Sequence, residues 1–137
     1  MIVIENINKS DNSLKEACVA IGNFDGIHQG HKSLIEETIV ISKKKNLVPT
    51  ILTFDPMPEE HFNSNGFFRL MDMYDKYKAF ESFGIEQVIT IPFDKKFSEL
   101  TKDLFIENIL VKKLMTKHLV VGYDFKFGNK RLGAVSY

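Results

Sequence analysis

The first thing missing is net charge: eighteen basic and eighteen acidic residues cancel over 137 positions. That balance excludes a whole-domain footprint on nucleic acid or an anionic membrane surface, and leaves room only for a local basic site. Cysteine is nearly absent. Cys18 stands alone, which excludes an internal disulfide framework and fits a reducing compartment. No uncharged apolar run approaches the roughly 18 residues that a membrane helix needs. The opening MIVIENINKS has Glu5 early and no basic start before an apolar run, so it does not read as a signal peptide. Repeats, low-complexity tracts and linkers are also lacking. What is present is an ordinary globular composition, 44% hydrophobic and 26% charged. A chain of this length buries roughly two-thirds of its unfolded surface, and the expectation is one soluble, cytoplasmic domain over residues 1–137.

Short apolar runs alternate with longer helical stretches. Residues 1–16 are polar and weakly patterned, an edge strand plus a loop. CVAIGNF, Cys18 to Phe24, reads as a buried strand, and a helix follows from Lys32 to Asn46 with Leu34, Ile35, Thr38, Ile39, Ile41 and Ser42 near one face. Lys43, Lys44 and Lys45 close that helix favourably for its dipole, either as a solvated end or as a phosphate contact. VPTILTF, Val48 to Phe54, is a second strand, stopped by Asp55, Pro56 and Pro58. A loop centred on residues 63–66 precedes a helix from about Asp72 to Phe83 that ends at Gly84. QVITIP (Gln87–Pro92), a helix capped by Thr101, and a strand in Lys117–Val121 complete the pattern. Strand and helix in alternation predict an α/β fold: a Rossmann-like parallel sheet with helices on both faces.

In such sheets ligands bind beyond the carboxyl ends of the strands. GNFDGIHQGH, TFDPMP and GYDFKFG all lie at such ends. In the first, Gly26 and Gly30 allow backbone to approach a ligand, and the helix N-terminus that follows favours an anion. His28 and His31 are spaced to share one helix face and reach one phosphate. A histidine pair at that spacing is alternatively incidental, or half of a metal site. Zinc is disfavoured, because no cysteine or third histidine accompanies them. The glycine spacing matches neither G-x-G-x-x-G nor a Walker loop. Phe125 and Phe127 alternate along the end of a strand, for stacking on a planar ligand or for plain core packing. Asp124 suits Mg²⁺ through water, or a turn. Lys130 and Arg131 offer positive charge to phosphates, or simply to solvent.

GNFDGIHQGH resembles the G-x-F-D-G-x-H-x-G-H signature of the nucleotidyltransferase superfamily. TFDPMPEEHF, IPFDKKFSELTKDLFIENILVKKL and VVGYDFKFGNKRLG, in that order, are similar to the FMN adenylyltransferase (FAD synthetase) domain of bacterial bifunctional riboflavin kinase/FAD synthetases. The likeness runs from about Cys18 to Gly133. It implies transfer of AMP from ATP to FMN, giving FAD and pyrophosphate with Mg²⁺. It implies His28 and His31 as the catalytic contacts to the ATP phosphates, with Gly22, Phe24, Asp25, Gly26, Gly30 and Arg131 about the nucleotide. Asp55 and Pro56 would face the flavin phosphate; Asp124, Phe125, Phe127 and Gly128 would line the flavin, with Asp124 the metal contact. The implied partners are small molecules, without nucleic acid or membrane.

Two departures stand out. Met57 occupies the place where the family pattern carries histidine between two prolines. A Ser/Thr-x-Ile-Arg segment and a riboflavin kinase barrel are expected beyond Tyr137, so the fold is expected to be incomplete at its C-terminus and to self-associate over the edge beside GYDFKFG. The competing expectations are a truncated flavin- or nucleotide-binding domain without turnover, and another nucleotidyltransferase such as a cytidylyltransferase or phosphopantetheine adenylyltransferase. No nucleophilic triad is evident, and Cys18, opening a buried strand, is expected to be inert.

Overall fold

The computed structural model describes residues 1–5, 15–24, 27, 29–55, 72–92 and 115–121, and the backbone of 126–127 and 133–134. Strand β1 is Ile2–Ile4, β2 Ala17–Ile21, β3 Val48–Phe54, β4 Gln87–Ile91 and β5 Thr116–Val121. Helix α1 is Gln29–Lys45 and α2 is Met73–Phe83; β6 (Lys126–Phe127) and β7 (Gly133–Ala134) form a separate antiparallel ribbon. The five main strands make one sheet in the order β1-β4-β3-β2-β5, and every pairing in it is parallel. The expected edge strand at the N-terminus is β1. The helix expected after Thr101 lies outside the described residues.

Burial explains why these runs are strands. All five residues of β2 and of β4 are buried, as are six of the seven in β3. Near-continuous apolar runs of this kind suit a parallel sheet covered on both sides. Cys18 and Ala20 of β2, Ile51 of β3, Val88 of β4 and Val120 of β5 share one face, and Ile35 of α1 and Phe80 of α2 pack on it. Alternation sends Val19, Leu52 and Ile89 to the opposite face, which is also buried. The chain steps β2 to β3 to β4 in one direction, so right-handed crossovers bring both described helices to the same face.

Helix ends follow local chemistry. Asp72 caps α2 by accepting the Asp75 N–H at 2.8 Å, and Gly84 ends it at φ 102°, where the Ile85 N–H returns to the Phe80 carbonyl at 3.1 Å. Asn46 does the same for α1 at φ 55°, with the Leu47 N–H donating to the Ser42 carbonyl at 2.9 Å. Helix α1 begins at Gln29, ahead of the expected Lys32. Its apolar stripe starts only at Leu34, so periodicity does not register the first turn.

Two expectations are corrected. The strand expected in Cys18–Phe24, with its apolar run ending at Gly22 and Asn23, stops at Ile21: the Gly22 N–H already turns to the Leu52 carbonyl, and Phe24 takes φ 55°, a left-handed conformation that no strand continues. Phe127 does not extend the strand of Lys117–Val121. That strand ends at Val121, and Phe127 belongs to β6, pairing with Gly133 of β7.

Candidate active site

Sheet order brings the carboxyl ends of three strands side by side. Strand β2 lies between β3 and β5, so Ile21, Phe54 and Val121 end three neighbouring strands, with Gly22 and Asp55 just past the first two. The chain leaves β2 toward β3 on one side and returns to it through β5 on the other. That reversal between β2 and β5 is the topological switch point, where α/β sheets open a crevice for ligands.

The turn leaving β2 is tightly determined. The Gly22 N–H donates to the Leu52 carbonyl at 3.2 Å, keeping the turn against β3. A Cβ on Gly22 would lie 2.9 Å from Cε2 of Phe24, so only glycine lets that ring fold back over the chain. The Asn23 carbonyl accepts from Lys76 Nζ at 2.6 Å and from Thr53 Oγ1 at 3.3 Å. Phe24 follows with positive φ and is fully buried. Its ring meets Phe80 edge-on, centroids 5.3 Å apart at 87°, and the His31 ring at 5.2 Å and 52°. Helix α1 then begins with Gln29 and Gly30 exposed and His31 half-buried in its first turn. The turn thus places the N-terminus of a 17-residue helix, with an imidazole in its first turn, beside the switch point, and the dipole of such a helix favours an anion such as a phosphate there.

The FAD synthetase family profile matches residues 10–137. The chain belongs to the FAD synthetase family. It is 39% identical over 134 residues to the bifunctional riboflavin kinase/FMN adenylyltransferase of Buchnera aphidicola subsp. Schizaphis graminum, covering 97% of this chain and 42% of that protein. It is 37% identical to the proteins of that name from Haemophilus influenzae and Escherichia coli K12, over 97% of this chain and 44% and 43% of theirs. The chain thus spans less than half the length of these relatives. Among solved structures, one described as a macrolide-efflux protein from Streptococcus pneumoniae superposes with a TM-score of 0.82 at 24% identity, covering 96% of this chain and 45% of that one. At that identity the likeness shows the fold alone. No described helix of this FAD synthetase family member is long and apolar enough to cross a membrane.

Of the residues that the sequence singles out, the structure gathers Gly22, Phe24, Gly30 and His31 in the β2–α1 turn. Phe24 is a core residue there, so it shapes the turn from beneath. Asp55 is exposed just past β3, its N–H donating to the Ile91 carbonyl at 3.1 Å. Asp25, Gly26, His28, Pro56, Asp124, Phe125, Gly128 and Arg131 lie outside the described residues, and of Phe127 only the backbone is described. Among the described residues no three His, Cys, Asp or Glu gather as a metal site. Cys18 is buried and free, and burial holds its thiol above the usual cysteine range.

Sequence reasoning overlooked Asn23, Thr53 and Lys76, which fix the turn. Lys76 carried a signal. It stands four residues before Phe80, on the stripe that α2 buries. A lysine on an apolar stripe points to a specific buried partner.

Proposed function

We propose that this chain serves FMN adenylyl transfer, ATP and FMN giving FAD and pyrophosphate, with residues 1–137 belonging to the adenylyltransferase domain. The observation that supports this reading is that β2, β3 and β5, the strands that in sequence lead into GNFDGIHQGH, TFDPMP and GYDFKFG, are neighbours at the switch point of a FAD synthetase family sheet. A phosphate oxygen of FMN attacks the α-phosphorus of ATP. The bond to the bridging oxygen breaks on the opposite side, and pyrophosphate leaves with that electron pair. Little covalent chemistry is asked of the protein, so its part is alignment and charge stabilisation.

The first turn of α1 with His31, and His28 before it, serves the triphosphate, together with Gly22, Asp25, Gly26, Gly30 and Arg131. Asp55 and Pro56 serve the flavin phosphate, and Asp124, Phe125, Phe127 and Gly128 the flavin. ATP enters as its Mg²⁺ complex, with Asp124 the candidate carboxylate. Magnesium on a nucleotide needs only one or two protein carboxylates beside the phosphates. The setting is cytoplasmic, where a lone buried thiol such as Cys18 stays reduced. Strand β5 pairs on one side only among the described residues, and self-association over that edge is part of the reading, checked by sedimentation.

The experiment is direct. Incubate the protein with FMN and MgATP, follow FAD by chromatography and pyrophosphate by a coupled assay, and titrate FMN separately by fluorescence. FAD and pyrophosphate in equal amounts support the reading. Flavin binding without FAD replaces it with a binding domain, and use of another nucleotide or acceptor replaces it with another transferase.

A further inference from the structure

Among the described residues Lys76 is the sole charged side chain that is buried, with no exposed surface at all. Burying an ammonium costs several kcal/mol unless its donors are used. One donor of Lys76 goes to the Asn23 carbonyl at 2.6 Å, and Thr53 Oγ1 donates to the same oxygen at 3.3 Å. That oxygen fixes the plane of the peptide joining Asn23 to Phe24. Rotating this peptide changes ψ of Asn23 and φ of Phe24 together, so two donors on one carbonyl hold Phe24 at φ 55°, a conformation that a bulky residue otherwise avoids. The fixed φ aims the Phe24 ring over Gly22, onto Phe80 one helical turn beyond Lys76, and against the His31 ring.

We propose that Lys76 is a positioning residue: through the Asn23 carbonyl and the Phe24 ring it sets the attitude of His31 at the mouth of the site. Helix α2 thereby holds a turn, Gly22 to Phe24, that it does not belong to. The consequence for nucleotide binding rests on the reading that His31 serves the triphosphate; the mechanical link from Lys76 to His31 does not.

The test uses the 137-residue protein. Lys76→Met keeps the length of the side chain and removes its charge and donors. Thr53→Val removes only the second donor to the same carbonyl. His31 ring protons are assigned by comparison with His31→Gln and followed by NMR, with ATP affinity by calorimetry. In the wild type the Phe24 ring current displaces the His31 signals. In folded Lys76→Met they move toward free-imidazole positions, and ATP binds about tenfold more weakly, the size expected when the displaced imidazole loses one hydrogen bond to a phosphate. Thr53→Val moves them the same way by less, and it alone decides the matter if Lys76→Met does not fold. Unmoved His31 signals in the folded variants overturn the proposal. A wild type that binds no ATP sinks the functional reading instead, and leaves the His31 signals to judge Lys76.

Discussion

The Phe24 ring rests 5.2 Å from the His31 ring, tilted by 52°. One of these residues belongs to the buried core and the other opens onto the carboxyl end of the sheet. The contact therefore couples packing to chemistry: whatever moves Phe24 inside the protein reorients an imidazole at its surface.

Removal of that imidazole separates the two roles. His31→Ala is expected to lower adenylyl transfer by about 10²–10³, the usual loss when a charge-stabilising group leaves a transition state. The lost ring contact costs only about 0.5–1.5 kcal/mol of stability. Steady-state rates beside thermal melts read both quantities. Near-wild-type turnover would take His31 out of the reaction.

Gly22→Ala tests the floor of the same turn. The added Cβ would stand 2.9 Å from Cε2 and 3.1 Å from Cζ of Phe24, so the ring or the turn has to shift. Overpacking of this kind costs about 1–3 kcal/mol. The expected result is a lower melting temperature, with ATP affinity falling more than the fold does. A variant that melts and binds ATP as the wild type does would show that the ring has room to move.

How far this could be read from the sequence depends on the residue. Val48–Phe54 appears with its predicted ends, because a run of apolar and β-branched residues stopped by Asp55 and Pro56 leaves little choice. Met73–Phe83 was legible from Asp72 and Gly84, whose side chain and backbone fit a cap at each end. Ile21 as the end of β2 was not. The apolar run ends at Gly22 and Asn23, but the point where pairing stops is set by contacts distant in sequence, the Gly22 N–H to the Leu52 carbonyl and Lys76 to the Asn23 carbonyl. Gly22 was legible as the start of a turn after a strand, and Gly30 and His31 as lying next to the N-terminus of the helix that follows. Lys76, on the buried stripe of α2, signalled a buried partner but not its identity, because a backbone carbonyl, which it bonds at Asn23, has no residue type to recognise.

The aromatic side of the site has its own test. Phe125→Leu and Phe127→Leu keep much of the apolar surface and remove the π face. If either ring stacks on the flavin, FMN affinity falls by about 1 kcal/mol, close to fivefold. Fluorescence titration measures it. Unchanged affinity in both variants would assign the rings to packing.

The last prediction concerns Cys18 and alkaline pH. Its thiol is buried, and burial raises its pKa; a coulombic effect of Glu37 adds to this, while the hydrogen bond with Ser42 and the charge of Lys45 oppose it. In the unfolded chain the thiol ionises near its ordinary value, about 8.5. In the folded protein it keeps its proton to higher pH. Over that interval the unfolded state holds fewer protons than the native state, so stability falls as pH rises. The contribution is complete below the unfolded value and is lost on climbing through the folded one. Cys18→Ala removes this dependence and leaves the lysines and tyrosines, which titrate in both proteins, to cancel in the comparison. Urea midpoints measured from neutral pH to about pH 10.5 should therefore converge, the wild type losing its advantage as the solution becomes alkaline. In parallel, the wild-type thiol should react with a disulfide reagent only as fast as the protein opens. Midpoints that stay a constant distance apart, or rapid modification of the folded protein, would mean that the thiol is not held protonated by the sheet.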